Sequence, residues 1–153
     1  MNINPFDKFN RQWALVTAGN EDNFNSMTIS WGSMGTIWGK DIITIYIRPE
    51  RYTFEFLDKN DSFTVSFYDE KYRNALNIMG TLSGRDTDKA KESGLSPVSI
   101  EDSMTYKEAD ETYLCKKIYM DQIDKTKLPE NLKKYYEDKK THYIILGEVI
   151  KVS

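Results

Sequence analysis

The chain has 153 residues, with 21 Lys+Arg against 24 Asp+Glu and a formal charge of −3. That length suits a single domain over 1–153 with its own core, and the slightly acidic balance lacks the basic excess that drives nucleic-acid binding. One cysteine excludes an internal disulfide framework and points to a reducing, cytoplasmic setting, while one histidine excludes a multi-histidine metal site.

Aromatics make up 13% of the residues, which favours strands and flat-ligand contacts over a plain helical bundle. A short helical turn is expected to end near Gln12, followed by a strand from Trp13 to Thr17 and a turn at Ala18-Gly19-Asn20. Ser26 to Ser30 alternates, with Met27, Ile29 and Trp31 on one face and Thr28 and Ser30 on the other. The glycines at 32, 35 and 39 are expected to bend or interrupt the chain. Asp41 to Ile47 is apolar on both faces and predicts a central, doubly covered strand that Pro49 stops.

Thr53 is placed to cap a short helix through Asp58, with Phe56 and Leu57 turned inward. Ser62 to Tyr68 alternates as a strand. Tyr72, Ala75, Leu76 and Met79 follow helical spacing, and Gly80 or Gly84 is expected to end that helix. A second short helix runs from Asp88 to Ser93 and ends at Gly94. Strands are predicted at Pro97–Ile100, Met104–Glu108 and Thr112–Ile123, then a short helix around Leu132, Tyr135 and Tyr136, and a last strand from His142 to Val152. Many strands, short helices and hairpin-scale spacing predict a mainly β fold, a closed antiparallel barrel rather than βαβ repeats.

Charge is unevenly distributed along these elements. Charged residues are 29% of the chain, yet the 17 residues from Asn23 to Gly39 carry none. The run is too short and too rich in Asn, Ser, Thr and Gly for a membrane span, and no basic, apolar signal-like start precedes it. It suits a planar ring with polar edges: an apolar rail, a hydroxyl rail, and glycines that let a ligand approach the backbone. A buried strand followed by a glycine-rich turn would read the same way.

Two turns can hold an anion. Arg48-Pro49-Glu50-Arg51-Tyr52-Thr53 leads into a helix start, where free N–H groups and the helix dipole join two arginines. Ser83-Gly84-Arg85-Asp86-Thr87-Asp88-Lys89 repeats the pattern with Arg and Lys. Each also fits a solvated turn with ordinary caps. No dinucleotide-binding glycine fingerprint, phosphate-binding loop or metalloprotease motif occurs. Lone His142 reads first as structural, and Cys115 as a half-buried strand residue. Scattered carboxylates single out no acid–base pair, so any chemistry would be borne by a cofactor rather than by a catalytic side chain.

Taken together, four stretches resemble the flavin reductase-like family of FMN-binding split barrels, which includes flavoredoxin. They are Asn25 to Gly32, Arg48 to Thr53, Ser83 to Lys89, and His142 to Val149. The resemblance spans almost the whole chain. It implies a six-stranded antiparallel Greek-key barrel that dimerises and binds FMN in a groove near the subunit interface. It sets Asn25, Met27, Thr28, Ile29, Ser30 and Trp31 along the isoalloxazine and ribityl chain. It sets Arg48, Thr53 and Lys89 at the phosphate, with Tyr52, Ser83, Gly84 and Arg85 beside them, and it brings His142 near the flavin side of the last strand. The implied activity passes hydride from NAD(P)H to flavin. Two alternatives are an electron carrier reduced by a protein partner, and a barrel binding another planar ligand such as haem. Relatives often continue past the last strand with a covering tail, so the site here is expected to be more open.

Overall fold

A computed structural model describes residues 4–153. Asp7–Arg11 form a single wide helical turn, after which β1 (Ala14–Gly19) and β2 (Phe24–Ile29) pair as a hairpin with Val16 opposite Met27. β3 (Gly32–Ile37) and β4 (Lys40–Ile47) make a second hairpin. α1 (Tyr52–Lys59), β5 (Ser62–Phe67), α2 (Arg73–Thr81) and α3 (Lys89–Ser93) follow. A small separate hairpin, β6 (Pro97–Ile100) and β7 (Ser103–Tyr106), precedes β8 (Glu111–Gln122), α4 (Glu130–Lys133) and β9 (Tyr143–Val152).

The main sheet is antiparallel throughout, in the order β2-β1-β5-β8-β9-β4-β3. Its two edge strands, β2 and β3, are joined only by Ser30 and Trp31. A link that short spans roughly 10 Å, so the sheet must curl until its edges nearly meet. Phe9, Val16, Met27, Ile43, Ile45, Phe63 and Ile145 fill the space inside the curl, with Phe56 and Leu57 of α1 closing one end. Leu15, Leu76 and Met79 pack a second, smaller cluster beneath α2.

The mainly β expectation holds, with seven strands in the sheet rather than six. The extra strand is β3, where interruption was expected. Gly35 sits on an exposed edge with open space where a side chain would be, and Gly32 faces the Phe9 ring, so neither bends the chain. The turn falls instead at Trp38 (φ 56°) and Gly39 (φ 68°), the two positive-φ positions of a tight hairpin turn. β4 is covered on one face by the core, but Thr44 and Tyr46 on the other are only half-buried.

Two helix boundaries also differ. Arg51, not Thr53, is the capping residue of α1, and Thr53 lies buried in the first turn. α2 runs through Gly80 to Thr81, because Gly80 packs against Thr28 and a side chain there would meet its Cβ at 3.1 Å. α3 ends as expected at Gly94, in the left-handed conformation with φ 77°.

Candidate functional site

The first anion turn leaves β4 at Arg48 and is closed by the Arg51 N–H donating to the Arg48 carbonyl at 3.1 Å. Of the first N–H groups of α1, that of Phe54 donates to the Arg51 carbonyl at 3.0 Å, and no side chain caps the turn, which leaves those of Tyr52 and Thr53 open. Thr53 is 1% exposed, and its hydroxyl oxygen accepts from Asn25 Nδ2 at 2.8 Å. That leaves the hydroxyl proton free to donate. The second turn arrives from α2 and packs on the same side chains. A Cβ at Gly84 would lie 2.0 Å from Asn25 Oδ1, so only glycine lets the loop come this close.

Lys89, at the start of α3, reaches back under this loop. Its Nζ donates to the Ser26 carbonyl at 2.7 Å and the Met79 carbonyl at 2.8 Å. Burial, and then the charge of Arg51, bring its pKa down to about 8. The Arg51 guanidinium, also lowered by burial and by Arg48, donates to the Gly80 carbonyl at 3.1 Å. Among the described residues neither cation is in an ion pair. Both line a cleft of about 210 Å³ together with Asn25, Tyr52, Thr53 and Gly84. Glu50 borders it too, with its carboxylate accepting from Lys140 N–H at 3.3 Å. A buried lysine, a half-buried arginine, a hydroxyl and a helix N-terminus form a donor set that fits a phosphate.

A second cleft of about 230 Å³ is lined by Met27 to Trp31, Tyr46, Arg48 and His142. The expected apolar rail is not what it offers: the side chains of Met27 and Ile29 are in the core. Thr28 donates its hydroxyl to the Leu76 carbonyl of α2, and Ser30 is half-buried. Trp31 is 46% exposed, edge-on to Tyr135 with ring centres 5.9 Å apart and tilted against His142 at 5.4 Å. His142 is 7% exposed, and its Nδ1 lies 2.7 Å from the Tyr136 hydroxyl. Burial and the nearby Arg48 push its pKa down to about 4, so it is neutral at pH 7.

Arg48 therefore departs from its expected grouping. Its guanidinium donates to the Tyr135 carbonyl at 3.3 Å and sits 5.7 Å from the centre of the Tyr136 ring, beside the second cleft. Arg51 takes its place at the first. A third cleft of about 460 Å³ shares Arg48 with one and Glu50 and Arg51 with the other, and is completed by Asp138 and Lys139. Arg85 is at the rim, 3.3 Å from Glu55 and 4.7 Å over the Tyr52 ring, and Ser83 Oγ accepts from its N–H. Tyr46 carried no functional signal in the sequence, and Tyr136 read only as part of a short helix. Arg51 did, in the quoted turn, but spacing alone does not tell which of two arginines faces which cleft.

Two other features have little to do with the site. Cys115 is buried in β8, its thiol pushed up to about 12 by burial, which makes it unreactive. A larger cleft, about 710 Å³, is near the first helical turn, but its cations are already engaged: Lys8 with Glu111 at 2.8 Å, Arg11 with Asp7 at 3.1 Å, and Arg73 over the Trp13 ring.

The flavin reductase like domain matches this chain over residues 6–153. The flavoredoxin of Methanosarcina acetivorans superposes with a TM-score of 0.74 at 19% identity, covering 100% of this chain and 74% of that one. The FMN-binding protein of Thermus thermophilus with bound p-hydroxybenzaldehyde gives 0.75 at 18%, over 100% and 79%. The flavoredoxin of Desulfovibrio vulgaris (Miyazaki F) gives 0.73 at 24%, over 92% and 68%. A search of curated proteins returned no match. At these identities the structures establish a shared split-barrel fold, and the match over nearly the full length establishes the family: this chain belongs to the flavin reductase-like proteins.

Proposed function

We propose that the protein binds FMN and acts as an NAD(P)H-dependent flavin reductase or oxidoreductase. The phosphate would be held by Thr53, Lys89, Arg51 and the start of α1, and the ring would lie along Asn25 to Trp31. The observation that carries this reading is Lys89, a buried ammonium bound only to carbonyls, beside a second cation and an open cleft. Such a charge is stabilised most by an anion. That a solved neighbour is itself an FMN-binding protein supports FMN as the source of that anion. When bound, FMN supplies the ring that takes up hydride. The chain's own part is to hold the phosphate, present main-chain groups and the hydroxyl of Ser30 to the ring edge, and leave the opposite face open to a donor. We also propose a homodimer, with Trp31 and the neighbouring exposed aromatics near the shared face.

One observation favours a protein donor as a second reading. Residues 125–140, which border the ring cleft through Tyr135 and Tyr136, hold six lysines against three carboxylates in a chain of net −3. That surface would attract an acidic electron-transfer protein. Stopped-flow mixing separates the two: rapid bleaching by NADH or NADPH supports the reductase, and bleaching only by a reduced ferredoxin supports the carrier. Among the described residues no helix is long and apolar enough to cross a membrane.

A further inference from the structure

Tyr136 contributes nothing to the fold's strands and comes from the irregular segment between β8 and β9, yet its buried hydroxyl meets the chain's one imidazole at 2.7 Å. Nδ1 and the phenol can share that proton in two ways. If Nδ1–H donated to the phenol oxygen, the phenol proton would be left in a buried place with no other recorded acceptor, which is costly. The phenol is the stronger donor, and a neutral imidazole nitrogen is a good acceptor. Nδ1 is therefore the acceptor, and the ring proton must be on Nε2.

Nε2 has no hydrogen-bond partner among the described residues, yet it is not among the fully buried unpaired atoms, of which Ser103 Oγ is the one found. His142 lines the ring cleft, and with Nδ1 engaged by Tyr136, Nε2 is the ring nitrogen left to serve a ligand there. Trp31, tilted against the imidazole at 5.4 Å, and Tyr136, edge-on to it with centres also 5.4 Å apart, pack against the ring.

We propose that Tyr136 is a positioning residue that locks His142 in its Nε2–H tautomer and so presents a neutral N–H donor to a carbonyl on the edge of a ring bound in the cleft. The tautomer rests on this geometry alone, and its use toward a flavin carbonyl rests on the FMN reading above. A neutral donor suits the site, because it polarises a carbonyl without adding a second positive charge beside Arg48.

A single histidine makes the test direct. In full-length protein carrying nitrogen-15 in the histidine ring, the ligand-free wild type at neutral pH is expected to give one pair of ring resonances, with Nε2 protonated and Nδ1 bare. Tyr136→Phe is expected to give a mixture of tautomers and to weaken FMN binding about 3- to 10-fold. An Nδ1-protonated wild type overturns the proposal without recourse to any variant, so a poorly folded Tyr136→Phe does not shield it. So does a folded Tyr136→Phe whose resonances match the wild type. Titration with FMN, followed by visible absorbance in the same tube, isolates the second half: a yellow complex in which the Nε2 resonance moves supports it. A yellow complex that leaves Nε2 unmoved refutes the donor role, while failure to form any complex refutes the FMN reading and leaves the tautomer result standing.

Discussion

Lys89 gives two of its three protons to carbonyls and has no carboxylate partner, so dipoles alone stabilise its charge. The folded protein holds its pKa near 8 against an ordinary 10.5. Between those values the unfolded chain binds more protons than the native one, so the stability of the ligand-free protein rises with pH across that window. A bound phosphate pulls the pKa back up. FMN affinity is thus expected to be level up to about pH 8 and to fall by about pH 9.5, where the phosphate itself no longer titrates. Fluorescence titration checks this, and an affinity that does not change over that range would contradict it. Thr53→Ala and Lys89→Ala should each weaken FMN binding by about 1–3 kcal/mol, the loss of one partner in a charged hydrogen bond. Unchanged affinity in both would remove the phosphate from this cleft. His142 acts with the same sign in a lower window: its pKa is held at about 4 against 6.5, so it contributes stability above the unfolded value that is lost as pH falls from 6.5 toward 4. His142→Gln should flatten that part of an acid-denaturation curve.

Glycines act differently from one element to the next. In β9, a Cβ at Gly147 would lie 2.5 Å from the Phe63 ring and 2.7 Å from Cys115 Cβ, and at Gly32 in β3 it would lie 2.5 Å from Phe9. Gly147→Ala should cost about 1–3 kcal/mol in urea denaturation through overpacking, while Gly35→Ala on the open edge should be near neutral. Equal effects at the two positions would mean that the core does not close around β9 as described. The same glycines mark where sequence reasoning reached its limit. Alternation and turn residues revealed the hairpin strands and short helices, because those signals are local. Whether Gly32 bends a strand or admits a ring depends on Phe9, more than twenty positions away, and nothing at Gly32 itself records that contact. The cap of α1 failed for a related reason. Thr53 has the chemistry of a cap, but Asn25 engages its hydroxyl from β2. The uncharged run did point to the clefts, although the side chains of its Met27 and Ile29 serve the core and that of Thr28 is bonded to α2, leaving Asn25 at one cleft and Ser30 and Trp31 at the other.

At the scale of the whole molecule, a curled sheet brings its two edge strands together at Ser30 and Trp31, where the ring cleft opens, while the phosphate cleft meets β2 near its other end, at Asn25. The overall charge of −3 conceals a strong separation: Arg48, Arg51 and Lys89 surround the clefts, and the lysines of 125–140 flank them. A near-neutral chain can in this way concentrate positive potential where one small anion is to be held. The most direct measurement is an anaerobic absorption spectrum of the purified protein with FMN, followed by titration with NADH and NADPH. A yellow, protein-bound flavin that one of the nicotinamides bleaches is the expected result. A protein that stays colourless and leaves added FMN free in solution would contradict it.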